Sequence, residues 1–169
     1  MTTREQASFI ATWDDEAQRT LRVLRALPAE QYDFRPDPAG RSFGELAWHL
    51  AEMESFTAAS VASGAIDFSR RLPGLERPLT VAGLASGFER VHAESRAQVA
   101  ALGPAELERA LPSPMGGVVS VSEVLWVWLL HHVIHHRGQL TVLCRLAGGT
   151  PPGVYGPNRE EMAAMRARA

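Results

Sequence analysis

The chain has 169 residues and 18.4 kDa, enough for a single domain (1–169) with a sizeable core, and its 46% apolar and 21% charged residues match an ordinary globular protein. A formal net charge of -2 without any basic block excludes the clustered basic footprint of a nucleic-acid-binding protein. A single cysteine, Cys144, excludes an internal disulfide and points to a reducing cytoplasm.

The first helix is predicted from about Thr3 to Leu27, because Ile10, Trp13, Ala17, Leu21 and Leu24 recur three and four residues apart. Its opening turns are charged and lack the apolar stretch of a signal peptide. Pro28 and the run DFRPDPAGR end it. Ser42 followed three residues later by Glu45 is a capping box, and it opens a second helix that Gly64 stops after Ser63. The segment AIDFSRRLPGLERP is a crossover long enough to let helices two and three run parallel. Leu84, Phe88, Val91 and Leu102 mark the third helix, from about Thr80 to Leu102.

A short helical turn at 104–110 and a loop or small hairpin at PSPMGGVV follow. Ser120 and Glu123 form a second capping box, opening a fourth helix that runs to about Ala147 and stops at Gly148 and Gly149. Its apolar start, VLWVWLLHHVIHH, is broken by four histidines and too short to span a membrane, so no membrane association is expected. A short terminal helix is expected from Asn158. Four amphipathic helices with almost no strand signal predict an all-α four-helix bundle.

The fourth helix carries histidines at 131, 132, 135 and 136, and only one of the two pairs spaced four apart can face inward. A wheel at about 100° per residue puts Glu123, Arg137, Thr141 and Arg145 on the solvent side. Leu125, His132, His136, Gln139 and Leu143 then lie opposite, with His131 and His135 on the flank. On helix two the same wheel sets His49 within a stripe of Leu46, Met53 and Phe56. Glu45 and Glu52 fall beside that stripe, while Glu54 and Ser55 point away. His92 on helix three reads as a rim residue. Buried imidazoles without partners are costly, and a divalent ion removes the cost by taking neutral nitrogen as ligand. His49, His132 and His136 supply three ligands and leave a fourth position for water or substrate. Glu52 is a fourth ligand, a partner behind the ligands, or a solvated edge residue. Cys144 lies off the inward stripe and is not counted as a ligand.

Two segments, LPAEQYDFRPDPAGRSFGELAWHLAEME and HHVIHHRGQLTVLCRLAGGTPPGVYG, resemble the DinB/YfiT-like superfamily of damage-inducible helical metalloproteins. The resemblance implies an up-down-down-up four-helix bundle, often homodimeric. It also implies a three-histidine metal site at His49, His132 and His136, the residues the wheels select. Family members bind zinc, nickel or iron, with zinc preferred here. Some are S-transferases using low-molecular-weight thiols such as bacillithiol, mycothiol or glutathione, and one is a thiol-dependent maleylpyruvate isomerase.

Three functions follow as expectations. The first is a metal-dependent S-transferase acting on a small-molecule thiol and an electrophile, since coordination converts a thiol to the nucleophilic thiolate. Gln139 would orient a ligand, Trp128 and Tyr155 would line an apolar pocket, and loops 65–79 and 111–119 are placed to fold over it. Ordinary core packing is the competing reading of Trp128, and a cap, ion pair or dimer contact suits Arg137. The second is a metal-dependent hydrolase with Glu52 as base. The third is a non-catalytic metal-binding stress-response protein with four protein ligands.

Overall fold

A computed structural model describes residues 1–69 and 73–168. Helix α1 (Thr3–Arg25) starts where the Thr2 hydroxyl accepts the Glu5 N–H at 3.1 Å. A 3₁₀ turn at Ala29–Gln31 leads to α2 (Phe43–Ser63), whose Ser42–Glu45 capping box forms in both directions. Gly64 ends α2 in the left-handed conformation, φ 76°, which a side chain rarely adopts. Helix α3 (Ala82–Ala100) is followed by a single turn, α4 (Pro104–Leu107), and a hairpin of β1 (Ala110–Pro112) with β2 (Val118–Ser120).

Helix α5 spans 121–146 in three stretches. An α-helical turn at Val121–Glu123, capped by the Ser120 hydroxyl, passes into π-helix over Val124–His131 and returns to α-helix over His132–Leu146. Helix α6 (Arg159–Arg166) closes the chain behind an Asn158–Glu161 capping box.

Helices α1, α2, α3 and α5 form an up-down-down-up four-helix bundle. Helix α2 packs on α3 and α5, and α1 packs on the same two from the other side. Parallel α2 and α3 require the chain to return along a helix of 21 residues, about 30 Å, which the crossover at 64–81 spans with ease. The core joins Phe9, Trp13 and Leu24 of α1 to Phe43 and Leu50 of α2, Leu84 and Phe88 of α3, and Leu125 and Leu140 of α5. Gly44 lets α2 sit directly on the Tyr32 ring, where any Cβ would collide with it. The Tyr32 hydroxyl donates to the Pro78 carbonyl, tying the start of α2 to the end of the crossover. Among the described residues, no helix is long and apolar enough to cross a membrane.

Candidate metal centre

His49 projects from the second turn of α2 toward α5, where His132 and His136 stand one turn apart at the start of the α-helical stretch. The Nε2 atoms of His49 and His132 are 3.1 Å apart. The ring centroids of the three imidazoles lie 4.4 to 5.3 Å from one another. One ligand atom from each falls within 4.8 Å of the other two. Two nitrogens sharing a tetrahedral ion at 2.0–2.1 Å would be separated by roughly 3.3 Å, so the His49–His132 spacing is close to that of a coordination edge.

Neighbouring groups set the ring tautomers. His136 Nδ1–H donates to Gln139 Oε1 at 2.6 Å, and His49 Nδ1–H lies 3.4 Å from Glu52 Oε2. A proton on Nδ1 leaves Nε2 with the free lone pair, the usual arrangement behind a metal-ligating histidine. Burial pushes the His132 pKa down to about 4, helped by the charges of His136, His49, His135 and Arg41. Burial also lowers His136, assisted by His49, His135 and Arg41 and opposed by the Gln139 hydrogen bond. Both are therefore neutral near pH 7, as ligation requires. The donor set fits a borderline divalent ion such as zinc. An open groove of ≈ 490 Å³, lined by Arg41, Leu46, His136, Gln139, Val142 and Leu143, runs up to this cluster.

The other expected site residues divide. Gln139 stands behind His136 and Glu52 behind His49, with Gln139 also lining the groove. Trp128 is partly buried against the core. The Tyr155 hydroxyl instead contacts Arg137 at 2.6 Å and Glu16 at 2.7 Å, away from the three rings. Of the loops expected over the site, 65–79 includes residues 70–72, which lie outside the described residues, and much of 111–119 forms the β1–β2 hairpin.

Several wheel assignments are corrected. Arg137 is 1% exposed and belongs to the buried stripe of Val133, Leu140 and Cys144. Its guanidinium donates to the Glu16 carbonyl and carboxylate, the Thr20 hydroxyl and Tyr155. His132 and His136 flank that stripe, half-buried and facing α2. A uniform wheel carries the direction of Glu123 and Leu125 through the π-helical stretch Val124–His131, where each N–H reaches five residues back and each residue turns less than in an α-helix. Cys144 is likewise buried, and burial raises its thiol pKa.

On α2, Glu54 does not point to solvent. It is fully buried, accepting Trp13 Nε1–H at 2.9 Å and facing His92 Nδ1 at 2.8 Å. His92 is no rim residue, with its side chain 12% exposed and its Nε2 3.1 Å from Asp14. Each of these charges is buried because a partner on another helix receives it, which a one-helix wheel cannot register.

A bundle whose wall brings three imidazoles together beside a groove has the donor set of a divalent-metal protein. The chain belongs to the DinB family, whose model matches residues 1–168. It is 30% identical over 159 residues to the uncharacterized protein YrdA of Bacillus subtilis (strain 168), covering 92% of this chain and 90% of the relative. The DinB-like protein YjoA of Bacillus subtilis superposes with a TM-score of 0.72 at 20% identity, covering 89% of this chain and 99% of that one. YfiT from Bacillus subtilis, described as a probable metal-dependent hydrolase with an unusual four-helix bundle topology, gives a TM-score of 0.68 at 15% identity, with 88% and 90% covered. Likeness at those two identities establishes the fold.

Proposed function

We propose that the protein is a metal-dependent S-transferase joining a low-molecular-weight thiol to an electrophilic small molecule, with His49, His132 and His136 holding one divalent ion. The observation that carries the reading is the meeting of three imidazoles beside an open groove. Among the described residues this cluster has three members, and Glu52 stays behind His49. That favours a site with an exchangeable position over a filled structural one.

A bound zinc, nickel or iron ion would supply the Lewis acidity that lets a coordinated thiol lose its proton near neutral pH. Gln139 and Glu52 hold the two outer imidazole nitrogens protonated, so the inner ones stay available. Leu46, Val142 and Leu143 shield an electrophile from water along the groove. Homodimeric assembly, expected from the resemblance, is part of the same proposal and is read by sedimentation velocity.

A second reading, hydrolysis of an ester or amide, draws support from the description of YfiT and from Glu52, whose side chain is 45% exposed beside His49. The test starts from protein purified without an affinity-tag metal column. About one equivalent of metal per chain is expected by elemental analysis, with loss in His132→Ala. Thiol-dependent conjugation of monochlorobimane above background, abolished in His132→Ala, supports the transferase, whereas ester turnover without thiol supports the hydrolase. Protein that stays metal-free under saturating zinc, nickel and ferrous iron overturns both.

A further inference from the structure

The groove beside His136 has one charged wall and one apolar wall. Arg41 stands at its edge, exposed, in the residue just before the Ser42 cap of α2. Leu46 from α2, with Val142 and Leu143 from α5, forms the apolar side. None of the six lining side chains described is acidic. Val142 is 59% exposed, so the wall is open to a ligand.

Arg41 differs from several other arginines of the chain. Arg35 and Arg77 are both paired with Glu45, Arg90 with Glu94, and Arg145 with Glu160. Arg41 makes no hydrogen bond or ion pair with any described residue. Arg41 and His136 nevertheless line the same groove, which sets the guanidinium beside the cluster. A free guanidinium at the mouth of an apolar trough matches a carboxylate, which its planar fork engages with two parallel N–H donors.

We propose that the groove selects an amphipathic carboxylate: Arg41 takes the anion, and Leu46, Val142 and Leu143 take a short apolar chain that lies against His136. That the reacting part of such a substrate meets a metal rests on the function proposed above; binding of its anion by Arg41 does not. Arg41 acts as a specificity-determining residue that ranks substrates by charge.

The test uses full-length protein, zinc-loaded and metal-free, with hexanoate as probe and ligand-observed NMR as readout. Wild-type protein should bind hexanoate at least about tenfold more tightly than 1-hexanol, hexylammonium or acetate, the last probing the apolar wall. Arg41→Ala should weaken hexanoate about tenfold with or without zinc, and Arg41→Lys should retain binding within about threefold. Arg41 is exposed outside the helix, and unchanged circular dichroism of both variants confirms that they fold.

Equal binding of hexanoate and 1-hexanol, or an Arg41→Ala variant that binds hexanoate like wild type, overturns the proposal. If that unchanged binding also vanishes on zinc removal, the carboxylate sits on the ion; Arg41 loses its role while the metal site stands. If zinc is not taken up at all but the metal-free protein shows the Arg41 dependence, the selectivity holds and the metal reading fails.

Discussion

The imidazole of His132 gives up hydration where α2 and α5 meet and keeps its proton off as a result. Its neighbour His136 depends on a second side chain, because the Gln139 carbonyl oxygen fixes which ring nitrogen is protonated. Gln139→Ala should therefore weaken zinc affinity about tenfold or more, read by competition with a chromogenic chelator. Glu52→Gln should have a smaller effect, since its contact with His49 is longer, 3.4 Å against 2.6 Å. Arg137 presents the opposite case, a charge held inside the bundle by an ion pair to Glu16 at 2.5 Å. Arg137→Ala would leave Glu16 in the interior with only Arg19 and Tyr155, at a cost of about 3 kcal/mol in urea denaturation. The residue types at the three histidines were enough to nominate them. Arg41 was not nominated, because a lone arginine in a chain without lysine carries no local signal.

Between elements, Trp13 of α1, Glu54 of α2 and His92 of α3 form one buried network, closed by Asp14 and by Arg96, whose Nε lies 2.9 Å from Asp14. Burial pushes the Glu54 carboxyl above its ordinary 4.5, against the pull of His92 and Trp13. Burial pulls His92 down, but the hydrogen bonds and charges of Glu54 and Asp14 outweigh it and hold the ring above 6.5. In both groups the folded state keeps its proton to higher pH than the unfolded chain. Their contribution is complete below the unfolded values and is lost as pH rises through the folded ones, from about 6.5 upward for His92. Tm should fall as pH rises above 6.5, and fall less in Glu54→Gln, whose amide still accepts the Trp13 N–H and can donate to neutral His92. Helix ends were legible because caps act within four residues: Ser42, Gly64, Ser120 and Asn158 all mark ends where they were expected. The facing of α5 was not, because the π-helical stretch at Val124–His131 shifts everything after it around the axis.

For the whole molecule, the three histidines come from helices whose first contact with each other is made only on folding, so an ion they share would bind the native state and not the unfolded chain. Zinc at one hundred times its Kd should then stabilise the protein by about 2.7 kcal/mol, seen as a rise in Tm. His49→Ala should remove that rise while leaving the bundle folded, because His49 stands outside the buried core of α2. A Tm insensitive to zinc in the wild-type protein would contradict a metal site joining α2 to α5.

From the chain alone came the features that act over a few residues: helix starts and stops, four apolar stripes, and an H-x3-H pair with an earlier histidine on another helix. Backbone hydrogen bonding and periodicity are local, so they can be read without knowing what lies opposite. The tertiary structure alone decided which charges are inside. Arg137 meets Glu16 across 121 positions of chain, and His92 meets Glu54 across 38. Solvation and ion pairing depend on such distant partners, and so does the groove that sets Arg41 beside His136.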